Sequence, residues 1–443
     1  MSDIFKQIGL LIPEILLPSE DINKTKWSVI ACDQYTSNTK YWEETISYVS
    51  DAPSTLKLTL PEIFLESEKE QKKISDIHSS MHEYITNSIL KNQGRGLILV
   101  KRETASGERK GVVCALDLEH YDYNKNSDSL IRPTEGTIIE RIPPRIKVRE
   151  KADIETPHIM VLIDDPDKTV IEPLFEAANK KEVYNFDLMN NGGHITGFFI
   201  NGEEAVKKMG ESLLTIKNNF HEKYDIKNNA PLLFAMGDGN HSFATAKAWW
   251  EEVKKNGQND PDIMDHPARW ALVELVNIHD KSIIFEPIHR VIFNINPEHI
   301  IKTFKEFWEE KGSIVTINYQ DNISLKFNKS DDEIHKIAFC HKDKNGIIEI
   351  KNPHKNLEAG DIQDAINHIC KNNSEIKVDY IHGADHVIEL AKERNNIGFI
   401  LPAIKKNNFF KSIILDGTLP RKSFSMGEAD DKRFYMECRK IIR

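Results

Sequence analysis

Leu232-Leu233-Phe234-Ala235-Met236-Gly237-Asp238-Gly239-Asn240-His241-Ser242 runs from a wholly apolar stretch into a turn with two glycines, and then into an alanine-rich segment. The apolar residues 232–236 predict a buried strand, and residues from about 242 to 255 predict a helix. Glycines on either side of an aspartate let the backbone turn tightly and approach a ligand closely. The helix beyond points its free N–H groups and positive dipole end at the turn, which suits a phosphate. In such a site Asp238 holds a metal or accepts a proton, His241 donates to a phosphate oxygen, and Ser242 caps the helix or touches the anion. The same residues also fit a plain glycine-rich turn in which Ser242 is the N-cap and Asp238 satisfies loop amides.

Outward from this turn, short apolar runs alternate with amphipathic segments. Residues 97–100 and 111–118 predict a hairpin around Ser106-Gly107, and 184–188 with 195–200 a second one turned by Asn191-Gly192-Gly193. Further strands are expected at 27–31, 158–163, 269–278 and 397–401. Helices are expected at 203–220, 299–310, 361–371 and 384–393. Strands and helices mix without strict alternation, so the predicted class is α+β, with mixed sheets and helices. Three regions with soft boundaries are expected, either separate or sharing one catalytic core: 1–130, an N-terminal α+β region; 131–295, a core carrying the Asp238 turn; and 296–443, a C-terminal α+β region.

The 443 residues carry a net charge of −10, with 40% hydrophobic and 29% charged residues, a balance that argues against a nucleic-acid surface. The first residues hold Asp3 and only a short apolar run at 8–12, unlike a signal peptide. No apolar run reaches bilayer-spanning length, so no membrane partner is expected. Five scattered cysteines, never spaced as CxxC, fit thiols in a reducing cytoplasm. A zinc-hydrolase helix is not encoded, since His82-Glu83 is followed by Thr86, and neither a Walker loop nor a protein-kinase glycine loop is present.

Residues 131–150 are the second place where chemistry is expected. Glu135 stands in Thr134-Glu135-Gly136-Thr137, and Arg132, Arg141, Arg145 and Arg149 lie close by in sequence. Guanidinium forks match phosphate oxygens bidentately, which suits a polyanionic donor. A solvated loop paired with Glu140 and Glu150 fits the same residues. Asp33 and Gln34, after the strand expected at 27–31, suit a substrate or an Asx-turn. His194 sits at a hairpin tip, while His289, Arg290 and Lys422 are further anion ligands or structural residues.

Asp238-Gly239-Asn240-His241-Ser242 with Ala244, Thr245 and Ala246 resembles the Asp-Gly-His-His-Arg…Ala motif of the ParB-like and sulfiredoxin-like superfamily. Ala31-Cys32-Asp33-Gln34-Tyr35, Arg132-Pro133-Thr134-Glu135-Gly136-Thr137 and Leu419-Pro420-Arg421-Lys422-Ser423-Phe424 resemble one branch, a large family catalogued as a domain of unknown function. The resemblance implies a ParB/sulfiredoxin-like catalytic core elaborated by further α/β regions, with the motif gripping phosphates where a strand meets a helix. It also implies free serine kinase chemistry: phosphorylation of L-serine to O-phospho-L-serine, with pyrophosphate as donor. Asp238 and Glu135 are then the catalytic carboxylates, and Gly239, Asn240, His241, Ser242, Thr134, Thr137 and the arginines contact phosphate. Mg2+ is expected from charge, with Asp238 as its protein ligand. Asn240 and Ser242 replace the His and Arg of the motif, which weakens a nucleotide assignment and is compatible with a smaller donor. An ADP- or ATP-dependent serine kinase and a non-catalytic phosphate-binding module are the alternatives.

Overall fold

Leu97 and Leu99 join one buried apolar cluster while Ile98 and Val100 join another, because successive side chains of a strand point to opposite faces. The sheet they belong to is therefore covered on both sides. The computed structural model describes residues 2–35, 38–124, 127–321, 333–373, 375–427 and 429–443. Within them the chain forms two compact units, Met1–Ile284 with Met426–Arg443, and Phe285–Ser425.

The first unit is built on strands β1 (Leu10–Leu11), β2 (Leu97–Thr104), β3 (Gly107–Asp117), β4 (Ile131–Arg132), β5 (Met160–Ile163), β6 (Lys181–Asp187), β7 (His194–Ile200), β8 (Phe234–Asp238) and β9 (Trp270–Asn277). They form one sheet in the order β4-β8-β5-β9-β3-β2-β7-β6, with β1 on β3. The β4–β8 and β9–β5 pairs are parallel, and the hairpins β2–β3 and β6–β7 are antiparallel. Helices α1 (Glu70–Thr86), α2 (Ile142–Arg149), α3 (Glu203–Asn218) and α4 (Asn240–Asn256) accompany it. Phe243, Ala244, Ala246 and Trp250 of α4 belong to the same cluster as Leu97 and Leu99. Mixed parallel and antiparallel pairing with helices makes the protein α+β.

The second unit has its own sheet and core. Strands β10 (Phe285–Phe293), β11 (Ile314–Gln320), β12 (Ile334–Cys340), β13 (Asn345–Lys351), β14 (Lys377–His382) and β15 (Ile397–Ile400) lie in the order β11-β13-β12-β15-β10-β14. Helices α5 (Pro297–Glu310) and α6 (Glu358–Asn372) supply Phe304, Trp308, Ile362 and Ile366 to a cluster with Ile337, Ile348 and Phe399.

Three expectations change. The boundary at 130/131 runs through the first sheet, because β3, before it, pairs along its length with β9, after it; the later boundary falls after Ile284, not 295. Residues 27–31 are not a strand: Lys24–Trp27 is a short helix, and beyond it Ile30 makes an isolated bridge to Phe434. The arginine-rich segment is not a loop throughout, since α2 begins with Pro143 and Pro144 in its first turn, where the missing N–H has no intrahelical partner to lose. Among the described residues no helix is long and apolar enough to cross a membrane.

Candidate active site

Pairing directions bring three segments to one edge of the first sheet. β4 and β8 run parallel, so the chain leaves Arg132 and Asp238 at the same edge. β5 runs antiparallel to β8, with Asp238 opposite Met160, so its entry segment, which carries His158, lies there too. A fourth segment joins through chain pairing. Ala31 N donates to Arg433 O and Tyr435 N to Val29 O, which brings Asp33 and Lys432 to the same place.

The turn is tighter than the sequence predicts. β8 extends through Asp238 and α4 starts at Asn240, so Gly239 alone reverses the chain. Gly239 has φ +80°, and a Cβ there would lie 3.0 Å from Ile159 Cγ1. Its N–H donates to Asp238 Oδ1 at 2.9 Å. Ser242 is not the N-cap: that place is held by Gly239, which makes no side-chain cap bond, so the first-turn amides face the turn.

Asn240 and His241 fasten the loop that carries Glu135. Asn240 Oδ1 accepts from Thr134 N at 3.2 Å, and its Nδ2 donates to Thr134 Oγ1 at 3.3 Å. Thr134 Oγ1 in turn donates to Met236 O at 2.7 Å. His241 Nε2 accepts from Ile138 N at 3.3 Å, which requires that nitrogen to be unprotonated. Half-buried Glu135 is therefore held on a short loop tied near both ends to the start of α4. Thr137 places its hydroxyl against buried Tyr121.

Asp238 Oδ2 lies 3.4 Å from Lys432 Nζ. Beside them, His158 Nε2 is 3.7 Å from Asp33 Oδ2 and 3.5 Å from Ser242 Oγ. His158 Nδ1 meets the Tyr435 hydroxyl at 2.9 Å, and Cys32 N donates to that hydroxyl at 3.0 Å. Gln34 Nε2 donates to Asp33 Oδ1 at 3.2 Å. Burial opposes a charged imidazole, yet Asp33 and then Asp238 hold the His158 pKa above its ordinary value. Burial likewise opposes the Asp33 carboxylate, but His158 outweighs it and keeps Asp33 below the usual range. Burial, then Asp33, pushes the Cys32 thiol up to about 12, so it stays protonated.

A cavity of about 160 Å³ opens next to His158 and Ser242, lined by Leu60, Met81 and Val148 among others. Arg145 and Arg149, four residues apart on α2, also line it. Arg145 pairs with Glu62, and Arg149 Nη2 with Glu155 at 2.7 Å.

Several expected ligands lie elsewhere or are committed. Arg132 is buried and donates to Ser129 O, Asp128 and Ala230 O, so it ties residues 128–129 to Ala230 and is not offered to phosphate. Arg141 is exposed. His194 is clamped between Asp187 and Asn185, both at 2.6 Å, on β7, which stands five strands from β8 in the sheet. His289, Arg290 and Lys422 belong to the second unit. There His289 Nδ1 accepts from Leu401 N, and burial lowers its pKa to about 4. Conversely His158, Lys432 and Tyr435 were not foreseen; the Thr156-Pro157-His158 entry to a strand was the one available hint.

Against known protein families, residues 16–372 match the model described as "Protein of unknown function (DUF1015)". The chain belongs to the DUF1015 family. No curated protein matches it. Among solved structures, a mutant of free serine kinase in complex with AMP is similar at 9% identity and TM-score 0.39, covering 74% of this DUF1015 chain and 92% of that one. A conserved hypothetical protein from Pyrococcus furiosus is similar at 9% identity and TM-score 0.35, over 73% and 94%. SbnI with a C-terminal truncation, from Staphylococcus aureus, is similar at 9% identity and TM-score 0.34, over 71% and 82%.

Proposed function

We infer that this protein transfers a phosphoryl group to the hydroxyl of a small metabolite, with pyrophosphate and free L-serine as the pair to test first. The observation that carries the reading is the clasp itself: the first residues of α4 hold the Glu135 loop against the turn at Asp238. Two carboxylates thus share one edge with an uncapped helix start, Lys432 and His158. The serine assignment rests on the motif resemblance, and pyrophosphate on the loss of the extended basic motif at Asn240 and Ser242.

Phosphoryl transfer asks a protein mainly for positioning and charge neutralisation. The α4 amides and Lys432 face the donor's oxygens, and Asp238 or Glu135 accepts the acceptor's proton as its oxygen attacks phosphorus and inorganic phosphate leaves. Asp238, a carboxylate at the turn beside the uncapped start of α4, is the residue that would hold a Mg2+. That ion would neutralise the donor's charge. The apolar walls of the cavity beside Ser242, at Leu60, Met81 and Val148, suit an adenine ring and make an ADP or ATP donor the second reading.

The test is incubation of the protein with Mg2+, L-serine and pyrophosphate, ADP or ATP in turn, with phosphoserine measured by mass spectrometry. Product is expected with at least one donor, and Asp238→Asn and Glu135→Gln should each lower the rate by about 100-fold or more. Absence of product with every donor, or full activity in both variants, contradicts the reading.

A further inference from the structure

Arg290 on β10 stands directly opposite Tyr380 on β14. Cross-strand partners share a face, and the guanidinium carbon lies 5.1 Å from the ring centroid. Lys422 brings its ammonium to the same ring, at 5.5 Å. Arg290 is fully buried. Its Nη1 donates to the Ile288 carbonyl, whereas Nε and Nη2 are buried with no hydrogen-bond partner.

Those two nitrogens form one edge of the guanidinium, the edge that meets two oxygens of a carboxylate or phosphate side-on. The other buried arginines among the described residues leave at most one buried guanidinium nitrogen without a hydrogen bond, Nε in Arg102 and Arg109. Arg433 pairs with Glu274 and Glu437, Arg439 with Glu155 and Arg132 with Asp128. Arg102 is held by the carbonyls of Glu103, Gly192 and Asp430. Among the described residues Arg290 alone leaves two guanidinium nitrogens unpaired in this way. A buried cation without a counter-charge is strongly unfavourable, and Arg290 keeps its bidentate edge buried and unpartnered, an arrangement that an anion would complete.

We propose that the Phe285–Ser425 unit binds a small oxyanion, a phosphate or a carboxylate, side-on at the Nε/Nη2 edge of Arg290, with Lys422 as the second cation. Lys422 is exposed and is the part of the site that solvent reaches. Tyr380, anchored through its hydroxyl to Gln363 Oε1 at 3.2 Å, holds the two cations on a common ring. This site stands independently of the phosphotransfer reading.

The experiment is calorimetric titration of the full chain, without Mg2+ and at fixed ionic strength, with inorganic phosphate in one arm and acetate in the other. Binding of at least one anion is expected in the wild type and in Asp238→Asn. Lys422→Ala and Arg290→Met should weaken it by about tenfold or more. Lys422→Ala changes an exposed side chain and keeps the test valid should Arg290→Met fold poorly. No binding of either anion, binding undiminished in Lys422→Ala, or binding abolished by Asp238→Asn would overturn the proposal.

Discussion

His158 is buried against Asp33, with Asp238 acting on it from the neighbouring strand, and this fixes how its charge responds to pH. Its folded pKa is raised, so its contribution to stability is complete below the unfolded value near 6.5 and is lost as pH rises through the folded value. Asp33 is held low, so its contribution is present above about 3.8 and is lost only as pH falls through the depressed value. The pair is therefore fully charged from roughly pH 4 to pH 6.5 and weakens on the alkaline side. Thermal melts of the wild type should lose stability above pH 6.5, and His158→Gln should lack that alkaline fall. Identical pH profiles for the two proteins would contradict the pairing. At this scale the sequence was legible where local chemistry was concentrated, at Asp238–Ser242 and Glu135. It was silent on His158, Lys432 and Tyr435, which reach the site only through pairing between residues 29–31 and 433–435, far apart in the chain.

The turn between β8 and α4 shows how little chain the site needs. A single residue in left-handed backbone ends the strand and starts the helix, and Ile159 leaves no room above it. Gly239→Ala should cost about 1–2 kcal/mol from backbone conformation alone, with crowding against Ile159 added. Urea unfolding reads this as a lower midpoint, and an unchanged midpoint would show that the turn is not strained by a side chain. Strand and helix were both predictable here, since an apolar run and an alanine-rich segment meet at glycines. Two elements were misread for local reasons. The arginine-rich residues fitted a solvated loop, yet Pro143 and Pro144 sit in a first helical turn, where prolines are tolerated. Trp27 to Ala31 looked like a strand because its apolar residues fill a core, not because they pair in a sheet: Trp27, Val29 and Ile30 are all buried.

Across the whole molecule, strand and helix patterns mixed without strict alternation made the α+β class readable, while the division into units was not. The second unit leaves the first after Ile284 and returns at Met426, and Gly427 N donates to Ile284 O at 3.2 Å, so its exit and return are adjacent. No composition shift marks such a junction, because each unit carries its own ordinary core. The central claim, that the Asp238 turn and the 131–150 segment form one phosphate pocket, is also a statement about which parts of the chain a ligand touches. Hydrogen exchange mapped over the full chain, with and without Mg2+ and pyrophosphate, reads this directly. Joint protection of residues 133–145 and 237–245 is the predicted result; protection of neither segment, or of only one of them, would contradict it.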